Sequence, residues 1–310
     1  MKCSRCEYDS TYKQRTGRKC PQCGGTFAFE PRQGDLISDL GFKYAIEAVS
    51  AYGQVRWGVE HLYYEVCRRK RARPMPAALI LLILLVSVLL IPVAIFNPKQ
   101  PGIWALAAVA WIVALLVTIH RIRGRFARIN PVTFGRMWDR WCEIHGTPQG
   151  VIQRRDRQSR PVAEPDLADY SFDRAVICDR ARTVDLLLAN NFHFENNCAV
   201  LSFDGYPRLP FQTVRTMLKR NPRLQVFFLH DATPNGCQLA HRLANSPEWF
   251  AGGYRIIDVG VRPGQALAFR GLYQPPADTP TTGEGIMPVE AKWLDSQVFE
   301  LAAIRPEQVL

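Results

Sequence analysis

The spacing of apolar residues changes several times along the chain. Residues 1–30 hold few of them. From Gly34 to Lys70 they return at helical intervals, with Leu36, Leu40, Ala45, Ile46 and Val49 sharing one face. Gly53 marks a break, and Val59 to Arg69 reads as a second helix. Two uncharged runs follow, Ala77 to Phe96 and Ile103 to Ile119, joined by Asn97-Pro98-Lys99-Gln100-Pro101-Gly102. Thr133 to His145 resumes the helical period through Phe134, Met137, Trp138, Trp141 and Ile144, and Gln153 to Asp169 is charged, proline-containing and aperiodic, as a linker is.

Beyond Phe172 short apolar runs alternate with helical patterns. Strands are expected at 174–178, 198–203, 224–229 and 254–261, with helices at Thr183 to Asn191, Phe211 to Arg220 and Gly236 to Ala244 between them and a final helix at Lys292 to Ala303. Strands that alternate with helices predict an α/β domain with a mainly parallel sheet. The expected organisation is residues 1–30, a helical region at 34–72, a hairpin at 77–119, a helical continuation at 130–152, a linker at 153–171 and the α/β domain at 172–310.

The two uncharged runs are long enough to cross a bilayer as helices, and lipid satisfies no backbone group, so they read as a transmembrane hairpin. Nine basic residues flank its outer ends and only Lys99 sits in the connecting loop. This places the chain in the cytoplasmic (inner) membrane as a multi-pass protein with both termini cytoplasmic, and makes the membrane a partner. The opening residues are polar and cysteine-bearing, so no signal peptide is expected there.

Charge and cysteines narrow the chemistry. The 310 residues carry a formal charge of +11, which suits an anionic partner, either nucleic acid or acidic lipid. Much of the excess flanks the apolar runs, where topology already accounts for it. Of nine cysteines, Cys3, Cys6, Cys20 and Cys23 form two Cys-x-x-Cys knuckles thirteen residues apart, and the other five are scattered singly. That spacing is a zinc-ribbon signature: each knuckle offers two thiolates to one ion, and four sulfurs close a structural tetrahedral site with no place for a substrate water. A catalytic metal and a redox dithiol are thereby disfavoured; protein docking and nucleic-acid contact by the ribbon both remain open.

The sharpest chemical pattern lies in the α/β region. Asp179, Asp204 and Asp231 each follow a strand directly, and ligands in such sheets sit beyond the carboxyl ends of strands. Three carboxylates there could bind Mg²⁺; the alternative is that each caps the next turn or helix. No glycine loop of the phosphate-cradling kind supports a simple nucleotide site.

In order and spacing, Val176-Ile177-Cys178-Asp179-Arg180, then Ser202-Phe203-Asp204-Gly205-Tyr206-Pro207, then Leu229-His230-Asp231-Ala232-Thr233-Pro234-Asn235-Gly236 resemble the Toprim domain of topoisomerase VI A subunits. In that family an acidic residue, usually glutamate, ends the first strand, a Gly-Tyr/Phe-Pro turn follows the second, and Asp-x-Asp-Pro-x-Gly follows the third. The resemblance covers roughly Phe172 to Val261. It implies Asp179 as general acid/base and Asp231 as a Mg²⁺ ligand, with Asp204 a substitute ligand. Val59-Glu60-His61-Leu62-Tyr63-Tyr64 is similar to the winged-helix segment bearing that family's DNA-cleaving tyrosine, which would make Tyr64 the nucleophile, though the arginine expected just before it is absent. The aromatic pair is otherwise a core feature. Aspartate replaces glutamate at position 179 and Thr233 replaces the second aspartate of the paired motif, and a neutral hydroxyl is a poorer Mg²⁺ ligand than a carboxylate. The expectation is therefore a Toprim-like module that binds nucleic acid or a protein partner, with catalysis weakened or lost, in a prokaryotic multi-protein system of the kind that defends against phage or plasmids. The alternative is a Mg²⁺-dependent nuclease or topoisomerase-like enzyme using Asp179 and Asp231.

Overall fold

The computed structural model describes residues 1–70, 109, 111–113, 128–153, 172, 174–220, 224–246, 249, 256–269, 271–276 and 285–310. Residues 1–30 form two short loops, each pinned by an isolated antiparallel bridge, Lys2 with Asp9 and Lys19 with Thr26. Helices α1 (Asp39–Val49), α2 (Val59–Arg69) and α3 (Pro131–His145) follow. Next come β1 (Arg174–Cys178), α4 (Ala181–Ala189), α5 (Phe192–Glu195), β2 (Cys198–Ser202), α6 (Arg208–Arg220), β3 (Gln225–Leu229), α7 (Pro234–Ala244) and β4 (Ile256–Asp258). The chain ends in α8 (Pro263–Ala266), α9 (Pro288–Leu294) and α10 (Pro306–Val309).

Local chemistry fixes the helix starts. Ser38 Oγ accepts the Gly41 N–H at 3.2 Å to cap α1, Asn130 Oδ1 accepts the Val132 N–H at 2.9 Å to cap α3, and Pro131 occupies the first helical position, where a missing N–H costs nothing. These helices share a core with both ends of the chain. Phe29 and Trp141 flank Phe42, with ring centroids 5.1 and 4.9 Å from it, and the same cluster takes in Leu62, Tyr64, Phe299 and Leu301.

All strand pairings are parallel, in the order β2-β1-β3-β4. The apolar faces of the strands are covered on both sides. Ile177, Leu201, Val226 and Phe228 pack in one layer with Val214 and Leu218 of α6 and Leu239 and Leu243 of α7, while Val176, Cys178 and Val200 pack in the other with Val184 and Leu187 of α4. Burial on both faces is why these strands read as unbroken apolar runs. The chain leaves β1 for β2 on one side and returns to β3 on the other, so the order reverses between β1 and β3. That reversal opens a crevice at their carboxyl ends, the usual ligand position in such sheets.

Three expectations are corrected. The transmembrane hairpin, and with it the membrane as partner and the multi-pass inner-membrane placement, is not upheld: no helix of the described residues is long and apolar enough to cross a membrane. The longest, α3, has 15 residues, which at 1.5 Å per residue gives about 22 Å against a hydrocarbon core of about 30 Å. It also carries Arg136, Asp139, Arg140 and Glu143. Of 77–119, only Val109 and Trp111, Ile112 and Val113 are described, as exposed helical residues; the rest of the run, like 154–171 of the expected linker, lies outside the described residues. The strand expected at 254–261 is β4 alone, Ile256–Asp258; residues 254 and 255 lie outside the described residues, and past Asp258 the backbone continues only through single bonds, Val259 N–H to Phe228 O and Val261 N–H to His230 O. The helix expected at Lys292 to Ala303 is α9, which begins earlier and stops sooner, at Pro288–Leu294, because Val298 and Phe299 give their backbone groups to Gln274 and Ala232 instead.

Candidate functional site

Two constellations hold chemistry. In the first, the Sγ atoms of Cys3, Cys6, Cys20 and Cys23 all lie within 4.8 Å of one another, with Cys3 to Cys23 at 3.8 Å and Cys6 to Cys20 at 3.7 Å. A tetrahedron with metal–sulfur bonds of about 2.3 Å has edges of about 3.8 Å, so the quartet is set for one ion. The knuckles turn alike: the N–H of Glu7 returns to Cys3 O and that of Gly24 to Cys20 O, and both residues have positive φ, +60° and +67°. Only the second knuckle uses glycine for that conformation. The Cys23 backbone N–H, working against burial, brings the Cys20 thiol down to about 7, which favours the thiolate a metal needs. Asp39, fully buried at the start of α1, accepts the N–H groups of Ala28 and Phe29 at 3.0 and 2.7 Å and meets His145 Nε2 at 2.8 Å, seating the loops on the helices.

The second constellation fills the crevice between β1 and β3. Asp179 follows β1, its N–H bonded to Leu229 O, and its Oδ2 accepts the Asp231 N–H at 2.9 Å. Asp231 is completely buried and both of its oxygens are engaged. Oδ1 accepts the Leu301 N–H at 2.7 Å; Oδ2 receives Arg180 Nε at 3.2 Å and Arg182 Nη2 at 3.1 Å. Arg182 also meets Glu300 Oε1 at 3.0 Å, Glu300 Oε2 accepts the Tyr64 hydroxyl proton at 2.9 Å, and Gln274 Nε2 donates to the same hydroxyl. Residues 236 apart in sequence thus join one polar chain from Asp231 to Tyr64.

Electrostatics follow from this wiring. Burial, and next the charge of Asp231, push the Asp179 carboxyl up to about 7. Its Oδ1 is buried without a hydrogen-bond partner among the described residues. Burial works against the charge of Arg182, yet the carboxylates of Asp231 and Glu300 hold its pKa above the ordinary guanidinium value. Burial above all, then Glu300, raises the Tyr64 phenol, which is 1% exposed and stands edge-on to Tyr63 at 5.0 Å between ring centroids.

The strand-end aspartates therefore part company. Asp179 and Asp231 meet at the switch point, whereas Asp204 sits in the turn after β2, where it accepts the Ser202 hydroxyl. Among the described residues the cysteine quartet is the one group of three or more acidic, histidine or cysteine ligands close enough to share an ion. Mg²⁺ does not fit at Asp231, whose oxygens already hold two guanidinium groups and an N–H. Thr233 caps α7, its Oγ1 accepting the Gly236 N–H at 3.0 Å. A Cβ at Gly236 would stand 2.4 Å from Asp231 O, so this close turn needs glycine.

Sequence reasoning passed over Arg180, Arg182 and Glu300, and also a neighbouring relay. His230, fully buried, points Nδ1 at Asp231 O (2.7 Å) and Nε2 at Asp258 Oδ1 (3.0 Å), two acceptors that call for both ring protons. Burial opposes that charge, but the bond to Asp258 raises the imidazole pKa overall. Asp258 is also clasped by Arg262 at 2.8 Å, and Arg262 by Glu290 at 3.1 Å. Asp258 is a fourth strand-end aspartate, concealed in the sequence by the apolar residues after it.

The Asp179 shift makes a prediction. Its folded-state value of about 7 exceeds its ordinary 3.8, so the folded protein holds the proton more tightly than the unfolded chain. The resulting stability is complete below about pH 4 and is lost as pH rises toward 7. Asp179→Asn, which keeps an acceptor for the Asp231 N–H, flattens that decline in urea-unfolding free energy measured from pH 4 to 8; an unchanged slope refutes the assignment.

Compared with family models, curated proteins and solved structures, the chain gives no match.

Proposed function

We propose that this chain is a Toprim-like nucleic-acid-binding module without cleavage activity, carrying a structural zinc ribbon. The observation that carries the reading is the occupancy of the Asp231 carboxylate by Arg180, Arg182 and the Leu301 N–H. A nuclease of the Toprim kind needs that carboxylate for a divalent cation, and here internal guanidinium groups provide the compensating charge. The Toprim assignment draws on the parallel sheet, on Asp179 and Asp231 meeting at its switch point, and on the run from Asp231 to Gly236 turning into α7. Zinc is the ion that four thiolates at tetrahedral spacing suit best. The net charge of +11 favours a polyanion as partner, bound largely through phosphates and so sensitive to salt.

One observation favours the enzymatic alternative: Asp179, held near 7, is suited to proton transfer at neutral pH. A single experiment separates the two. The zinc-loaded full chain and Asp231→Asn are assayed for nicking of supercoiled plasmid with Mg²⁺ or Mn²⁺, and for binding of labelled DNA and RNA by fluorescence anisotropy across a salt series. The expected result is no nicking by either protein and equal, salt-dependent binding by both. Nicking by the wild type that Asp231→Asn abolishes establishes the enzyme. Absence of nucleic-acid binding at low salt overturns the proposal in favour of a protein partner.

A further inference from the structure

A cavity of about 800 Å³ opens between α2, α3 and the C-terminal segment, with Tyr64 in its lining. Tyr63, Phe134 and Trp138 supply its aromatic wall. Phe134 stands edge-on to Tyr63 at 5.3 Å, and Trp138 meets Trp57 edge-on at 6.2 Å. Among the described residues, the charged ones lining the cavity are Glu60 and Glu300, both acidic. Glu300 is engaged by Arg182 and Tyr64. The Glu60 carboxylate, half-buried in the first turn of α2, has no hydrogen bond among the described residues, though its charge bears on Arg182 and His61.

From this lining we infer a binding site for an organic cation: a compact aromatic or aliphatic body carrying an ammonium or guanidinium group. The volume is that of a small-molecule site, and a few polar groups converging on an apolar wall give such sites their orientation. The aromatic faces attract a cation through their quadrupoles, and Glu60 supplies a counter-charge beside them. An anion would meet two carboxylates in the described lining, which disfavours it. The side-chain amide of Gln274, which also lines the cavity, stands at its Tyr64 end, so an occupied cavity bears on the Tyr64–Glu300–Arg182 chain. The inference stands independently of nucleic-acid binding, which is assayed separately.

The test uses two probes with the same ring and opposite charge, tryptamine and indole-3-propionate, titrated calorimetrically into the full-length protein. Tryptamine is expected to bind at one site and indole-3-propionate not at all. Glu60→Gln weakens tryptamine about tenfold through loss of a charge-assisted bond, and Trp138→Leu weakens it as well. Thermal melts of the apo proteins verify that Glu60→Gln is folded. The inference is overturned if tryptamine does not bind, if the two indoles bind alike, or if Glu60→Gln leaves tryptamine affinity unchanged in the folded variant.

Discussion

Replacing Asp231 with alanine is expected to lower the unfolding free energy by about 3 kcal/mol or more, the range found when one partner of a buried ion pair is removed. Three donors lose their acceptor together: the Leu301 N–H and the guanidinium groups of Arg180 and Arg182. They differ in what they can do next. The Arg180 side chain, 47% exposed, turns to water at little cost, whereas Arg182, 25% exposed, keeps only Glu300, and the Leu301 N–H lies inside the shared core. The main penalty therefore falls on the junction between β3 and the C-terminal segment, where Ala232 also pairs with Phe299. Asp231→Asn retains one oxygen for the Leu301 N–H but turns an NH2 donor toward the arginines, so it should recover only the part of the loss that belongs to Leu301. Urea titrations of both variants measure this. Equal, small losses would mean that the carboxylate is spare and that the crevice is held by apolar packing alone. A double-mutant cycle of Asp231→Asn with Glu300→Gln should show coupling well above the scatter, because both carboxylates bind one guanidinium group.

How much of this was legible beforehand depended on whether local sequence or long-range contact decides a position. The strands at 174–178, 198–202 and 225–229 were readable because burial on both faces demands continuous apolar runs, and each starts or stops within one residue of its expected place. The alternation of strand and helix then gave a parallel sheet, and the switch-point rule gave the approach of Asp179 to Asp231. The same rule leaves Asp204 outside, since β2 lies on the other side of β1, and three strand-end aspartates in a sequence do not reveal which pair shares a crevice until the strand order is known. Arg180 and Arg182 were hidden for another reason. Arginines in the first turn of a helix normally face solvent, and nothing in Asp179-Arg180-Ala181-Arg182 says that a carboxylate 49 residues beyond Arg182 will meet it. Glu300 and Gln274 were further still, fixed by the pairing of Gln274 with Val298. That pairing also explains why a helical pattern across Lys292 to Ala303 stops at Leu294: a local preference yields when tertiary backbone bonds offer the same satisfaction together with burial of Phe299. The apolar runs of 77–119 carried the opposite hazard. Run length, hydropathy and flanking basic residues supplied the membrane argument, and no helix of the described residues is long and apolar enough to cross a membrane.

The cysteine quartet makes the other large prediction. The ribbon has almost no apolar interior of its own: Cys3, Cys20 and Phe27 are its buried cluster, with Met1 and Cys6 beside them. A segment of this size cannot fold on such a core, and a metal bound by four thiolates supplies on the order of 10 kcal/mol at neutral pH. Stripping the ion with a strong chelator, or replacing Cys20 with serine, should therefore unfold residues 1–26 and leave the rest standing. The boundary lies there because the Ala28 and Phe29 N–H groups are tied to Asp39 and Phe29 packs on Phe42 and Trp141, contacts the ion does not make. Elemental analysis should find a single equivalent of zinc per chain, absent from Cys20→Ser. Trypsin should then cut the metal-free protein at the exposed Lys13 and Lys19 while the fragment beginning near Ala28 resists. The buried bidentate ion pair of Arg15 with Glu30, at 2.8 and 3.1 Å, is the charged contact best placed to hold the ribbon closed without metal. If the stripped protein keeps its protease resistance and Arg15→Met abolishes it, that ion pair, and not the thiolate cluster, is what folds the N-terminus.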